Sequence, residues 1–390
     1  VSTSPLAPRP KATWKKRLLV ALGSLVATLV LFELVARVGA WLYYGRNPYY
    51  LFYGFVSWTD DTGEGHSEKL DGYFKFPPNK VIQHLGDLPE PGHINNHGFR
   101  GPDFETVKPP GVFRVVCMGG SSTFGYTDRD EGTYPYLLQQ RFDAHPAAMR
   151  VEVINGGIPH FNTDHLVAML ENEALSWSPD VITLYCAYND ATYPLAENGW
   201  EAATRKLDEY SAAFACLRKI LNASLGDVVF HKWSNYLPQM DRAGLERQIE
   251  LHRGMTHGNL ERIAELAGKA GVRIIVVRQP MTLWFTRVEH GLAEGPRPEL
   301  TYEGEVAEVR ARLEREGAIT GWEAVLLVHR AVLEEVDAFA TQHALPVVDN
   351  VALIDAHPDG MSTYVHLKEA ANARLAEALH AVLAPLVPGV

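Results

Sequence analysis

The chain has 390 residues, of which 46% are hydrophobic, 21% charged and 10% aromatic, and its formal net charge is −11. This is the composition of a folded protein with a sizeable core, in one large domain or two ordinary ones. The acidic balance argues against nucleic acid as a partner, since nucleic acid is met by a basic face.

The charge is uneven along the chain. Residues 1–17 carry Arg9, Lys11, Lys15, Lys16 and Arg17 and no acid, and read as a basic tail. Every residue over 18–32 (LLVALGSLVATLVLF) is apolar or small, and after Glu33 the run resumes as far as Tyr44. About 27 residues exceed the roughly 20 that span a hydrocarbon core, so 18–44 is expected to be a transmembrane helix. Glu33 and Arg37 stand four apart and pair on one helix face. Arg37 can reach outward along its own stem, and Trp41, Tyr43 and Tyr44 suit an interfacial belt. Cations ahead of the apolar run keep the N-terminus in the cytoplasm and send the rest across. Val38-Gly39-Ala40 also resembles a signal-peptide cleavage site. The charged pair and the length of the run favour an uncleaved anchor.

Residues 45–110 are rich in Tyr, Gly, Pro, Asn and His and read as an irregular extension. From 111 the chain alternates. Apolar strand-like runs lie at 113–118 (FRVVCM), 151–154, 181–186 (VITLYC), 272–277 (VRIIVV) and 346–349. Helical patterns lie at 134–145, 164–177, 260–270, 322–343 and 367–386. Strands separated by helices imply βαβ units. The expected fold is therefore α/β: a three-layer α/β/α sandwich around a five-stranded, mainly parallel, flavodoxin-like sheet, carried behind the N-terminal helix. It would occupy 111–390. Stretches 191–258 and 281–320 exceed ordinary connections and read either as a lid or substrate wall or as plain helical decoration.

Reactive groups of such sheets gather at the carboxyl ends of the strands. After the first strand stands Gly119-Gly120-Ser121, a serine in a glycine-rich turn with backbone N–H groups near it. Neither G-x-G-x-x-G nor G-x-x-x-x-G-K-[ST] is present, which argues against a nucleotide site. The second strand ends in Asn155-Gly156-Gly157, the third in Ala187-Tyr188-Asn189-Asp190, and the last helix opens after Val365-His366. A serine hydroxyl needs a base, and histidine titrates in the right range. Cys117, Cys186 and Cys216 show no C-x-x-C spacing. His93 and His97 lack an H-E-x-x-H context, so no metal is expected, and no cofactor is called for.

These four places, in this order, resemble the SGNH/GDSL hydrolase family over about residues 94–386. The resemblance implies Ser121 as nucleophile and His366 as base. It implies an oxyanion hole from the N–H of Ser121, the N–H of Gly157 and the side-chain amide of Asn189. The upstream Asn95-Asn96-His97-Gly98-Phe99-Arg100-Gly101 and the anchor look like a membrane-tethered bacterial branch. That implies a single-pass inner-membrane protein with its catalytic domain periplasmic or extracellular. Three positions depart from the family pattern. Gly120 stands where Asp is usual, Ala187 where Gly is usual, and Thr363 where the orienting acid is usual. Asp359, seven residues before His366, is the substitute candidate for that acid. A Ser–His dyad held by Thr363 or by a backbone carbonyl is the alternative.

The implied activity is acyl transfer through an acyl-enzyme on an acyl-ester substrate, a carbohydrate or a lipid of the envelope. A membrane-anchored ester hydrolase is the first reading. An envelope polysaccharide O-acetyltransferase and a catalytically lapsed binding or assembly protein remain as alternatives. The sequence names no protein partner.

Overall fold

The computed structural model describes residues 13–43, 68–70, 73–82, 92–144, 149–192, 195, 199, 211–214, 216–217, 239–283 and 300–388. Tyr44 and the aromatic residues Trp200, Tyr210, Trp233, Tyr236, Trp284 and Phe285 of the two long insertions lie outside the described residues. The chain divides into two compact units, Val1–Ser57 with Asn198–Lys232, and Trp58–Glu197 with Trp233–Val390.

The first unit is built on α1, Trp14–Tyr43. Its stretch Trp14–Gly39, 26 residues of mean hydropathy 2.5, is long and apolar enough to cross a membrane. Leu18, Leu25, Leu29 and Phe32 are more than half exposed on it. The helix starts four residues earlier than the apolar run, because Lys15, Lys16 and Arg17 are themselves good helix formers. Arg37 Nε meets Glu33 Oε1 at 2.7 Å, as the spacing of four requires. Glu33 also accepts from Ser211 Oγ at 2.8 Å and from the N–H groups of Ala212 and Ala213 at 2.9 and 3.0 Å.

The second unit holds a five-stranded sheet. Its strands are β1 (Val112–Gly119), β2 (Arg150–Gly157), β3 (Val181–Cys186), β4 (Arg273–Arg278) and β5 (Val347–Val348). Their order across the sheet is β2-β1-β3-β4-β5, and every pairing is parallel. This is the flavodoxin-like order. All five strands match the apolar runs. Central strands of a parallel sheet are covered on both faces, so they read as unbroken hydrophobic segments.

The helices in chain order are α2 (Ser121–Phe124), α3 (Tyr134–Ala144), α4 (Thr163–Asn172), α5 (Tyr188–Thr192), α6 (Arg242–Ala270), α7 (Tyr302–Glu316), α8 (Gly321–Gln342), α9 (Asn350–Ala356) and α10 (Glu369–Leu383). Successive β1 side chains point to opposite faces. Val116 and Met118 pack with Leu166 and Met169 of α4, Leu260 and Ile263 of α6, and Phe339 of α8. Phe113, Val115 and Cys117 pack with Leu138 of α3 and Leu375 and Leu379 of α10. The result is the expected three-layer sandwich.

Two stretches are more ordered than the sequence pattern alone marks. Helix α6 begins at Arg242, eighteen residues before the sequence pattern, because Asp241 caps it by accepting from Gly244 N–H at 2.7 Å. Residues 92–104 close over the core, burying Ile94, Phe99 and Phe104. There the guanidinium of Arg100 donates to the carbonyls of Phe124, Gly125 and Asp128 and pairs with Asp130 at 2.6 Å. It thereby fastens the loop that leaves α2.

Candidate active site

β1 ends in a turn that demands glycine. A Cβ on Gly119 would collide with Thr123 Oγ1, and one on Gly120 would stand 2.5 Å from Asn189 Nδ2 and 3.0 Å from Phe161 O. Any side chain at 120 would have to push the Asn189 amide aside. Ser121 opens α2 at this point and stays partly exposed. Its N–H lies in the first turn of that helix, where no intrahelical acceptor exists.

His366 comes to the serine across 245 residues of sequence. Its Nε2 lies 2.9 Å from Ser121 Oγ. On the other side of the ring, Nδ1 lies 2.8 Å from Thr363 Oγ1, which also accepts the His366 N–H at 3.1 Å. A base that takes a proton at Nε2 carries its own proton on Nδ1, so Nδ1–H donates to the threonine hydroxyl. Tyr126 stacks on the imidazole, with ring centroids 5.3 Å apart and planes 22° from parallel. The loop bearing Tyr126 is tied to the histidine loop by Thr127 Oγ1 and Ser362 Oγ, 2.8 Å apart. His366 is only 8% exposed. Burial pulls its pKa down to about 4, and the nearby His160 pulls the same way. The ring is therefore neutral and ready to accept a proton over the whole neutral range.

The structure does not bring Asp359 to the ring. It is exposed on the short turn Pro358–Gly360, while Nδ1 is engaged by Thr363. The group at Nδ1 is thus a neutral hydroxyl, as in the dyad alternative to Asp359.

Gly157 ends β2 beside Gly119, and its N–H donates to Asn155 Oδ1 at 3.0 Å, a bond it would have to give up to meet an oxyanion. Its lack of a side chain serves close packing, since a Cβ there would strike the Thr123–Phe124 backbone. The turn that does reach the site follows it. Phe161 N–H bonds Ile158 O at 3.2 Å, and His160 between them takes φ +66°, left-handed backbone that non-glycine residues avoid. No turn glycine marks this place, so the sequence carried no signal for it.

Asn189 lies in the first turn of α5, just after β3. One N–H of its amide donates to Phe161 O at 2.8 Å. The amide carries two N–H donors, so this bond fixes the plane and uses one of them. Ala187, two residues earlier, has φ +149°, a strained value that glycine would take freely. Asp190 is fully buried and accepts from Thr163 N–H and Oγ1 at 2.9 and 2.6 Å. Burial pushes its pKa up to about 7, with the Thr163 bonds opposing. His93 and His97 are engaged elsewhere, with Asp130 at 2.6 Å and Phe104 O at 2.9 Å.

No family model matches the sequence, and no curated protein matches it. Solved structures do. A lipase/acylhydrolase from Enterococcus faecalis is 15% identical with a TM-score of 0.42, the match covering 71% of this chain and 98% of that one. An acetyl xylan esterase is 13% identical with a TM-score of 0.40, covering 70% and 100%. A GDSL-like lipase from Bacteroides thetaiotaomicron is 12% identical with a TM-score of 0.35, covering 70% and 87%.

Proposed function

We propose that this chain is a membrane-tethered ester hydrolase of the SGNH type, working through an acyl-enzyme on Ser121. The observation that carries the reading is the 2.9 Å contact of Ser121 Oγ with His366 Nε2, with the far nitrogen of the same ring held by Thr363. Ser121 Oγ attacks an ester carbonyl while its proton passes to Nε2. The tetrahedral oxyanion is met by the N–H of Ser121 and the free N–H of the Asn189 amide, each such donor supplying about 3 kcal/mol. Collapse breaks the ester C–O bond as the imidazolium returns its proton to the leaving alcohol. Water, deprotonated by the same ring, then releases the acid and frees Ser121. Helix α1 tethers the enzyme to a bacterial inner membrane with the basic tail inside, so that the domain meets acylated carbohydrate or lipid of the envelope.

The test is hydrolysis of p-nitrophenyl acetate by the full chain in detergent, with Ser121→Ala beside it, and labelling of Ser121 by a fluorophosphonate. Turnover and labelling that both vanish in Ser121→Ala support the reading. A folded wild-type protein that neither turns over nor labels overturns it.

A further inference from the structure

The groups that would react sit on three separate loops, and a buried hydrogen-bonded chain joins those loops one residue away from each group. Its centre is Gln279, the first residue beyond Arg278 at the carboxyl end of β4 and only 4% exposed. Gln279 Oε1 accepts the N–H of Tyr188 at 2.8 Å. Gln279 Nε2 donates to Ser122 Oγ at 3.1 Å. Ser122 Oγ in turn donates to the carbonyl of Val365 at 3.2 Å. Tyr188 precedes Asn189, Ser122 follows Ser121 and Val365 precedes His366.

The chain has one direction. A backbone N–H can only donate and a carbonyl can only accept, so the amide of Gln279 must point its oxygen to Tyr188 and its nitrogen to Ser122. Reversing the amide would face N–H against N–H. The strained Ala187 lies immediately before Tyr188, so the Tyr188–Gln279 bond also holds the loop that carries this strain. All of these groups are buried, where an unpaired donor is expensive and a satisfied chain fixes one geometry.

We infer that Gln279 is a positioning residue of the site: through Ser122 and the Tyr188 N–H it sets the mutual placement of Ser121, Asn189 and His366 without touching any of them. This rests on the acyl-transfer reading above. Its effect is on the chemical step, since misplacement of reacting groups by about 1 Å costs on the order of 100-fold in rate.

The experiment compares wild type, Gln279→Ala, Ser122→Ala and the double variant as full chains in detergent. It measures the rate of fluorophosphonate labelling of Ser121 and kcat and KM for p-nitrophenyl acetate, each below the variant's own melting transition. Gln279→Ala should lower kcat and labelling roughly 10- to 100-fold with little change in KM, because alignment and not ground-state binding is lost. The double variant should lose less than the product of the two single losses, because the two side chains act in one chain. Wild-type labelling in Gln279→Ala, or losses that simply multiply, overturns the inference. If Gln279→Ala does not fold, Ser122→Ala decides: it removes two links and keeps the Tyr188 bond, and unchanged labelling in it overturns the inference. A wild-type chain that does not label defeats the hydrolase reading itself, which separates the two failures.

Discussion

Thr363 Oγ1 lies 2.8 Å from His366 Nδ1, so a neutral hydroxyl orients the base where a carboxylate would both orient and charge-stabilise it. A hydroxyl fixes the tautomer but offers little to the imidazolium that forms as the serine is deprotonated. Thr363→Asp aims a carboxylate at the same nitrogen. The expected outcome is a kcat at least about tenfold higher, since loss of such an acid costs far more than that where it is native. Thr363→Val should move kcat the other way. Steady-state kinetics on an acetyl ester check both.

The pH profile follows from the same ring. His366 must be neutral to act as base, and burial holds its pKa at about 4. Activity should stay level from neutral pH down into the acid range and fall only as pH approaches about 4. In Thr363→Asp the added negative charge stabilises the imidazolium, so the acid limb should shift toward neutrality. A kcat/KM profile from pH 4 to pH 8 shows the displacement. A wild-type acid limb near 6.5 would contradict the burial argument.

Stability should respond to pH through Asp190. Its folded pKa is raised to about 7 by burial, against 3.8 for an unperturbed carboxyl. The folded state therefore holds a proton that the unfolded state has lost between those values. The stabilising contribution is full below about pH 4 and is lost as pH rises through about 7. Asp128, raised to about 7 by burial, acts in the same direction. His165 and His329, lowered to about 4 and about 3 by burial, act oppositely and lose their contribution as pH falls. Asp190→Asn keeps an oxygen for the Thr163 donors and removes the ionisation. Its melting temperature relative to wild type should be higher at pH 8 than at pH 5, and equal differences at both would refute this account.

Gly120 is held to glycine by Asn189. A methyl group there would stand 2.5 Å from Asn189 Nδ2. Gly120→Ala should displace the amide and lower kcat roughly 100-fold, the scale of losing one oxyanion donor. Gly120→Asp, with a larger side chain at the same place, should do no better. Circular dichroism alongside the kinetics separates a displaced donor from an unfolded chain.

Glu33 joins α1 to residues 211–213 through three hydrogen bonds and pairs with Arg37. Cys216 lies three residues beyond this contact and is partly exposed, whereas Cys117 and Cys186 are buried. Glu33→Ala should release the segment and speed alkylation of Cys216 by a maleimide in membrane preparations. Unchanged alkylation would show that the contact does not hold it.

Much of the site was legible one strand end at a time. Ser121 and Asn189 stand just after apolar runs that become strands of the parallel sheet, whereas His366 precedes the last helix and is singled out by the family resemblance. The Gly157 N–H is engaged for a local reason: Asn155, two residues earlier, accepts it. Asp359 is exposed, and Thr363, nearer along the loop, meets Nδ1 of the ring. The left-handed turn at His160 and the role of Gln279 left no mark in the sequence at all.

By itself, then, the order of residues determined the apolar helix at the N-terminus, the five strands and the loops on which reactive side chains would appear. These follow from hydropathy and turn chemistry, which act over a few neighbouring positions. The tertiary structure alone decided how closely the Ser121 hydroxyl meets the imidazole and which buried amide ties the loops together. Those choices are hydrogen bonds between groups some 90 to 245 residues apart. Bonds of that kind form only after the sheet has brought its strand ends together.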